Sequence, residues 1–213
     1  MDLYIVLGLD KLLERLNEYG LKYGSDNANI VLVIFFDVDC PACARMYREC
    51  EEYLQKLVRE GKVTLYYMDF PVHRGSEYAH VVLRRIFRNN PEVFFEVLRK
   101  VYSRQDDKKV IESLKDTNAK PEEVEVVMTC KKIGKDIGVR GTPTILVGIK
   151  DKNIGIVMEG YWGRGAIEKL IERIMNRDVE LEKLITLLIL IGNVKEYPPK
   201  SETKTETAKQ SSS

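Results

Sequence analysis

Residues 30–43 read IVLVIFFDVDCPAC. The first seven are apolar and largely β-branched or aromatic, which predicts a strand buried on both of its faces. A CxxC motif follows at Cys40, and Pro41 fits the first position of a helix because a proline there loses no hydrogen bond. Apolar residues continue at helical spacing beyond the motif, so we expect a helix that begins at Pro41 and ends near Gly61.

The rest of the chain predicts an α/β fold around this segment. A second apolar strand at 63–68 completes a βαβ unit, whose crossover implies parallel pairing. The other predicted elements are helices at 12–19, 77–87, 91–102, 108–114, 121–133 and 165–190, and strands at 144–149 and 154–158. The predicted organisation is an amino-terminal helical segment at 1–24, a core at 25–75 and 136–192, a helical insertion at 76–135, and a disordered tail at 193–213.

Composition excludes several classes of function. The 213 residues contain 34 Lys+Arg and 33 Asp+Glu, a formal net charge of +1, whereas nucleic-acid-binding proteins normally carry a basic excess. The longest apolar run near the carboxyl end, residues 184–191, is much shorter than the about 20 residues of a membrane-spanning helix. We therefore expect neither a nucleic-acid partner nor a membrane span.

The amino-terminal residues predict a cytoplasmic protein. Their apolar run is short, its flank is acidic and no cleavage-like site follows, so they do not resemble an export signal; the protein would be exported only if a leader had been removed. Few glutamines beside 31% charged residues indicate a thermophilic source. The cytosol of hyperthermophiles can contain disulfides.

The position of the CxxC motif favours redox chemistry. Cys40 is expected at a helix amino terminus, where unpaired N–H groups and the helix dipole stabilise a thiolate. Such cysteines have pKa values of roughly 3.5–7.5, and the thiolate is the species that attacks disulfides. Cys43 lies further into the helix and is expected to point inward as a thiol. Cys40 is therefore the predicted exposed nucleophile and Cys43 the resolving cysteine.

The remaining cysteines and histidines leave alternatives open. A zinc site would need a second ligand pair, but Cys50 and Cys130 are single, and His73 and His80 have no metal-like partner. We therefore predict no metal ion. On this pattern, Cys40 and Cys43 could still be an inert structural pair. Cys50 and Cys130 could bond each other or remain buried thiols. Both histidines are predicted at the surface, with a contact to substrate at the rim of the site as the alternative.

A second motif, VRGTPT at residues 139–144, stands directly before a predicted strand. A proline that opens a central strand cannot donate to the ladder and needs a special geometry. A cis Thr142–Pro143 bond would permit a tight turn and leave neighbouring backbone groups free for a substrate, although only about 5–6% of such bonds are cis.

Together, these motifs resemble the thioredoxin superfamily and, within it, the DsbA-like thiol-disulfide oxidoreductases. Residues 35–43 are similar to that family's apolar strand, acidic residue and CPxC motif. Residues 69–73 resemble the exit of its second strand, and residues 138–144 resemble its cis-proline loop. The helical block between the last two segments matches the family's helical insertion. The resemblance covers roughly residues 23–175.

The resemblance implies a thioredoxin fold with a helical insertion between the second strand and the cis-proline strand. It implies a redox-active Cys40–Cys43 disulfide, with Pro143 cis and facing the Cys40 sulfur. Substrate segments would then lie along the Thr142 backbone, and we assign Pro41 and Ala42 to the same binding surface. The dithiol needs no cofactor. The expected partners are cysteine-containing protein substrates and a redox partner that recycles the dithiol.

Two features leave the activity less closely defined. Many strongly oxidising members carry a histidine inside the motif where this chain has Ala42, so oxidase, isomerase and reductase directions are all open. Asp37 is predicted to assist proton transfer at the motif or to cap the helix, with a solvated turn carboxylate as the alternative.

Two other functions compete with redox exchange. One is a redox-inactive thioredoxin-fold module that holds peptides in the cis-proline groove. The other is a soft-metal chaperone that uses Cys40 and Cys43 as ligands.

Overall fold

The computed structural model describes residues 2–103 and 112–199. Within these ranges, seven strands form one mixed sheet, and in chain order they are β1 (Leu3–Leu7), β2 (Leu21–Tyr23), β3 (Ile30–Phe36), β4 (Val63–Asp69), β5 (Thr144–Ile149), β6 (Ile154–Glu159) and β7 (Val194–Glu196). Their order across the sheet is β2-β4-β3-β5-β6-β1-β7. The mixed α/β class and the thioredoxin-like architecture predicted from the sequence are confirmed.

Helices cover both faces of this sheet. The described helices are α1 (Leu9–Tyr19), α2 (Pro41–Arg59), α3 (Ser76–Asn89), α4 (Pro91–Ser103), α5 (Pro121–Asp136), α6 (Arg164–Met175) and α7 (Val179–Leu190). Buried residues of α2, α4, α6 and α7 share one apolar cluster with the sheet, whereas those of α1 and α5 belong to a second cluster on the opposite face.

Strand β3 is the centre of the sheet, and all seven of its residues are buried. Its side chains alternate between the two clusters, with Phe36 in the first and Phe35 in the second. β3 pairs in parallel with β4 and antiparallel with β5, so that Phe36 lies beside Asp69 and Phe35 beside Thr144. The end of β3, the end of β4 and the start of β5 therefore meet at one edge of the sheet.

The predicted βαβ unit is confirmed from β3 to β4. Cys40 is the N-cap of α2 and Pro41 occupies its first turn. Lys56 and Arg59 lie in the last turn, where cations interact favourably with the helix dipole. Gly61 follows with a φ of 68°, a left-handed conformation that glycine adopts without a steric penalty.

Both ends of the chain differ from the prediction. The segment 1–24 is not helical throughout, because β1 pairs antiparallel with β6. Residues 193–213 are not disordered throughout, because β7 pairs in parallel with β1; residues 200–213 lie outside the described residues. These two strands have five and three residues, and such short segments become recognisable only when the strand that pairs with them is known.

The predicted helix at 165–190 is in fact two helices. α6 ends at Met175, Arg177 adopts a φ of 51°, and the Asp178 carboxylate accepts a 2.9 Å hydrogen bond from the Leu181 N–H. A left-handed residue followed by a new N-cap ends one helix and starts the next. The apolar spacing continues across the break, which is why the pattern predicted one element.

Residues 76–135 contain α3, α4 and the greater part of α5, and their described part includes no strand. The helix predicted at 108–114 falls mostly on residues 104–111, outside the described residues. In the described portion of the chain, no helix combines the length and apolarity required to cross a bilayer.

Candidate active site

The Cys40 sulfur lies at the amino terminus of α2. It accepts a hydrogen bond from the Cys43 N–H at 3.4 Å and lies 3.3 Å from the Thr142 carbonyl oxygen. Cys40 is only 6% exposed, whereas the sequence predicted an exposed nucleophile. Pro41 and Ala42 directly after it are exposed, which leaves the outer side of the motif open to solvent.

These contacts lower the pKa of Cys40 to about 6. The largest cause is a hydrogen bond from the Cys43 thiol. Burial opposes it, and hydrogen bonds from the Thr142 side chain and from the Cys43 and Ala42 N–H groups add to it. A thiolate at this position is therefore well populated at neutral pH, as expected for a CxxC cysteine at a helix start.

Cys43 has the opposite electrostatic character. It is fully buried, and burial, followed by its hydrogen bond to Cys40, raises its pKa well above the usual thiol value. The pKa values of the two cysteines are thus shifted in opposite directions, so that Cys40 favours the thiolate and Cys43 the thiol. This is the asymmetry predicted from their positions in the helix.

The loop that precedes β5 supplies the opposite wall of the site. The Thr142–Pro143 peptide bond is cis, as predicted. The Pro143 carbonyl accepts a 2.9 Å hydrogen bond from the Gly160 N–H, and the Thr144 hydroxyl donates to the Gly141 carbonyl at 2.8 Å. Arg140 anchors the loop further, because its side chain pairs with Glu159 and Asp2.

Asp37 is completely buried between the motif and the loop after β4. Its carboxylate accepts hydrogen bonds from the backbone N–H groups of Asp39 at 3.1 Å, Val72 at 2.7 Å and His73 at 2.9 Å. Burial opposes its ionisation, but hydrogen bonds from His80 and from the Val72 and His73 N–H groups outweigh burial and hold the pKa of Asp37 below its usual range. Asp37 does not cap α2, because Cys40 occupies the N-cap.

His80 is completely buried, so its predicted surface position is wrong. Its Nδ1 lies 2.7 Å from the Asp69 carboxylate, and its Nε2 lies 3.6 Å from Asp37. Arg84 pairs with the other oxygen of Asp69 at 2.5 Å. The side chain of His73, by contrast, is 47% exposed, and its Nδ1 lies 2.7 Å from Asp37.

A signal for this buried network existed in the sequence. Asp37 directly follows the predicted strand at 30–36, and Asp69 directly follows the predicted strand at 63–68. Because these strands were predicted to pair in parallel, both carboxylates had to lie at the same edge of the sheet. Two buried carboxylates in proximity need positive charge. His80 and Arg84 lie four residues apart on one helix face, which is the arrangement that provides it.

Cys50 and Cys130 are free, buried thiols, as are Cys40 and Cys43. Cys50 belongs to the apolar cluster under α2, and Cys130 belongs to the cluster on the opposite face of the sheet. The two therefore do not form the disulfide that the sequence had left open.

The protein belongs to the thioredoxin family, because the model of the family described as Thioredoxin matches residues 16–155. Two solved structures share the fold. α-DsbA1 from Wolbachia pipientis has a TM-score of 0.63 at 15% identity, covering 80% of this chain and 97% of that one. A periplasmic thioredoxin-like protein from Salmonella enterica serovar Typhimurium has a TM-score of 0.60 at 17% identity, covering 79% and 96%. The resemblance to DsbA-like proteins is thereby confirmed.

A curated relative matches in sequence over part of its length. The probable disulfide bond formation protein D of Bacillus cereus is 31% identical over 88 residues, which are 38% of this chain and 39% of the relative. The matched region thus spans about two fifths of that protein.

The cytoplasmic location predicted from the amino-terminal residues is wrong. One of the solved structures that share its fold is α-DsbA1 from Wolbachia pipientis, and another is described as a periplasmic protein. Extracytoplasmic compartments such as the periplasm are oxidising, and disulfides form and persist there.

Proposed function

We propose that the protein is a thiol-disulfide oxidoreductase that exchanges disulfides with cysteine-containing protein substrates through Cys40 and Cys43. The observation that carries the proposal is the position of the Cys40 sulfur, which caps α2 and lies 3.3 Å from the Thr142 carbonyl beside a cis proline. The family, the DsbA-like structural neighbours and the relative whose printed name describes disulfide bond formation support the same activity.

In the oxidising direction, a substrate thiolate attacks the Cys40 sulfur of the Cys40–Cys43 disulfide. The new bond joins substrate sulfur to Cys40, and Cys43 leaves with the electron pair and takes a proton. A second substrate thiolate then attacks the substrate sulfur of this mixed disulfide and releases Cys40 as a thiolate. The substrate dithiol is oxidised to a disulfide, and the two cysteines of the protein are left reduced.

The reductive direction reverses these steps. Cys40 attacks a substrate disulfide, and Cys43 then attacks the Cys40 sulfur of the mixed disulfide. The low pKa of Cys40 supports both directions, because a stable thiolate is a good leaving group in the first and is available as the nucleophile in the second.

The substrate would lie against the cis-proline loop. A segment bonded to Cys40 must run beside the Thr142 carbonyl, with exposed Pro41 and Ala42 on the other side of the sulfur. The Thr142 hydroxyl is buried beside the two cysteines, and its hydrogen bond helps to lower the pKa of Cys40. Asp37 would hold the turn that carries the motif through its three backbone hydrogen bonds.

Trapping the mixed disulfide tests this mechanism. The variant Cys43→Ala lacks the resolving thiol, so after incubation with a peptide disulfide it should accumulate an adduct on Cys40 that mass spectrometry detects. Cys40→Ala should form no adduct, and Cys50→Ala is the matched control that should turn over substrate like the unaltered protein. An adduct confined to Cys50 or Cys130, or none on Cys40, would overturn the proposal.

The same experiment distinguishes the competing peptide-binding function. A redox-inactive module would bind the peptide without forming an adduct. The pH dependence of Cys40 alkylation would then give a pKa near the ordinary thiol value of about 8.5.

A further inference from the structure

A buried histidine lies between two carboxylates directly behind the CxxC motif. The His80 side chain has no exposed surface. Its Nδ1 is 2.7 Å from the Asp69 carboxylate, whereas its Nε2 is 3.3 Å from the Val38 backbone N–H nitrogen and 3.6 Å from the Asp37 carboxylate. Val38 and Asp37 both belong to the turn that ends at Cys40.

The protonation state of His80 decides which of these two groups its Nε2 contacts. In the neutral ring with a proton on Nδ1, that proton is donated to Asp69, and Nε2 accepts from the Val38 N–H. In the charged ring, Nε2 also carries a proton and cannot accept; its acceptor is then the Asp37 carboxylate. A single proton therefore moves the contact from one residue of the turn to another.

The charges around His80 favour that proton. The titratable or charged groups that face this network come from each element packed on it: Asp37 after β3, Asp69 of β4, Arg84 of α3, Tyr102 of α4, Cys40 and Cys43 of α2, and Cys130 of α5. His73 contacts Asp37 from the loop after β4.

Among them, Asp37 and Asp69 supply two negative charges and Arg84 one positive charge. Reduction of the motif adds the negative charge of the Cys40 thiolate, which a charged His80 offsets. Burial alone would lower the pKa of His80, but hydrogen bonds to Asp37 and Asp69 and their charges raise it to about 9 in this structure, whose cysteines are reduced.

We propose that His80 is a positioning residue of the redox reaction, which takes up a proton when the Cys40–Cys43 disulfide is reduced and then binds Asp37 in place of the Val38 N–H. The inference rests on the proposed function. Oxidation of a substrate dithiol releases two electrons and two protons. The electrons reduce the disulfide and one proton goes to Cys43. Because Cys40 remains a thiolate, the second proton goes to His80 at a pH between the His80 midpoints of the oxidised and reduced proteins, and to solvent below that range. A buried cation thus accompanies each new thiolate at the motif.

The first test uses the unaltered protein and follows the imidazole resonances by NMR from pH 5 to pH 10. The chain has two histidines, so the variant His73→Gln assigns the remaining imidazole resonances to His80. The His80 midpoint in the reduced protein should lie at least about half a pH unit above its midpoint in the oxidised protein, because the thiolate charge favours the imidazolium. Equal midpoints in the two redox states would overturn the proposal.

The second test compares reduction potentials. In a glutathione titration over the same pH range, the equilibrium constant for reducing the Cys40–Cys43 disulfide should change by up to a further tenfold per pH unit between the two His80 midpoints. For a two-electron couple this corresponds to about 29.6 mV per pH unit. His80→Gln keeps a neutral amide but takes up no proton, so the additional dependence should vanish. His73→Gln, which removes a contact to the same carboxylate, should retain it.

The outcomes separate this inference from the proposed function. A measurable Cys40–Cys43 potential with the same pH dependence in the unaltered protein and in His80→Gln would overturn the role of His80 alone. A protein that forms no Cys40–Cys43 disulfide would overturn the proposed function and this inference together. The NMR titration decides the question even when His80→Gln does not fold.

Discussion

The N-cap of α2 and the interior of the helices place the same thiol group in opposite electrostatic surroundings. Cys40 is that N-cap, whereas Cys43 and Cys50 lie inside α2 and Cys130 lies inside α5. All four are buried. The pKa of Cys40 is lowered to about 6, while burial raises the pKa of Cys50 and raises that of Cys130 to about 12.

This contrast shows that exposure does not set the thiol pKa in this protein. Cys40 is 6% exposed and Cys50 is 1% exposed, a small difference. What differs is the supply of hydrogen-bond donors: Cys40 receives the Cys43 thiol and N–H groups that have no partner inside the helix, whereas Cys50 has a 3.6 Å contact with the Tyr161 hydroxyl. A helix start provides such donors and a helix interior does not.

The largest expected effect comes from removing the Cys40 sulfur. Cys40→Ser should reduce exchange with a dithiol or disulfide substrate to the rate measured without protein, since a hydroxyl neither forms the disulfide nor attacks it at neutral pH. Cys50→Ala and Cys130→Ala should retain activity. Activity that survives in Cys40→Ser and disappears in either control would reverse the assignment of the two regions.

Alkylation of the reduced protein measures the contrast directly. The pKa of Cys40 is below pH 7, so this residue is mostly thiolate at that pH, whereas the pKa of Cys130 is far above it. Iodoacetamide should therefore modify Cys40 on the order of 1,000-fold faster than Cys130, or more. The Cys40 rate should fall as the pH drops through about 6, because protonation removes the nucleophile. Peptide mass spectrometry after timed pulses reports each site, and comparable rates at the two sites would contradict the pKa difference.

Charge burial near Cys130 should affect stability. Arg84 pairs with buried Asp69 and contacts the Cys130 sulfur at 3.5 Å. Arg84→Met leaves Asp69 without this partner and should lower the free energy of unfolding by about 3–5 kcal/mol. Arg85→Met is the matched control on the same helix: its ion pairs with Asp116 and Glu123 are partly exposed, so a much smaller loss is expected. Urea titrations with equal losses for both would refute the role of burial.

The smallest expected effect concerns packing of α5 against the sheet. A Cβ at Gly134 would lie 2.9 Å from the Phe70 ring and 3.0 Å from the Phe35 ring. Overpacking costs about 1–3 kcal/mol and alanine gains about 1 kcal/mol over glycine in a helix, so Gly134→Ala should lose up to about 2 kcal/mol of stability.

Gly165→Ala is the control for that substitution, because a Cβ there meets open space. Thermal unfolding should show no loss for Gly165→Ala, and the alkylation rate of Cys40 should be unchanged in both variants. Slower alkylation of Cys40 in Gly134→Ala would mean that the packing of α5 is coupled to the start of α2.

Much of the core fold was predictable because its signals are local. β3, the start of α2 at Pro41 and the strand at 63–68 follow from apolar runs and from a proline at the first helical position. β1 and β7 were missed because strands of five and three residues resemble other short segments until their partners are known. The break between α6 and α7 was missed because apolar spacing continues across it.

The candidate site divides in the same way. The different thiol character of Cys40 and Cys43 follows from their places in one helix, so adjacent residues were enough to predict it. The position of His80 was predicted incorrectly, because a single histidine on a helix gives no local sign of burial. Its charge partners come from two strand ends, and only parallel pairing of β3 with β4 places them beside α3.

By itself, the order of amino acids determined the helix start that stabilises a thiolate, since N–H groups, N-cap and first-turn proline all lie within four residues. The tertiary structure alone decided what faces that sulfur. Thr142 is 102 positions away along the chain and is brought there by the antiparallel register of β5 on β3. Contacts between distant segments depend on strand pairing and the packing of helices over the sheet, and no local pattern specifies those.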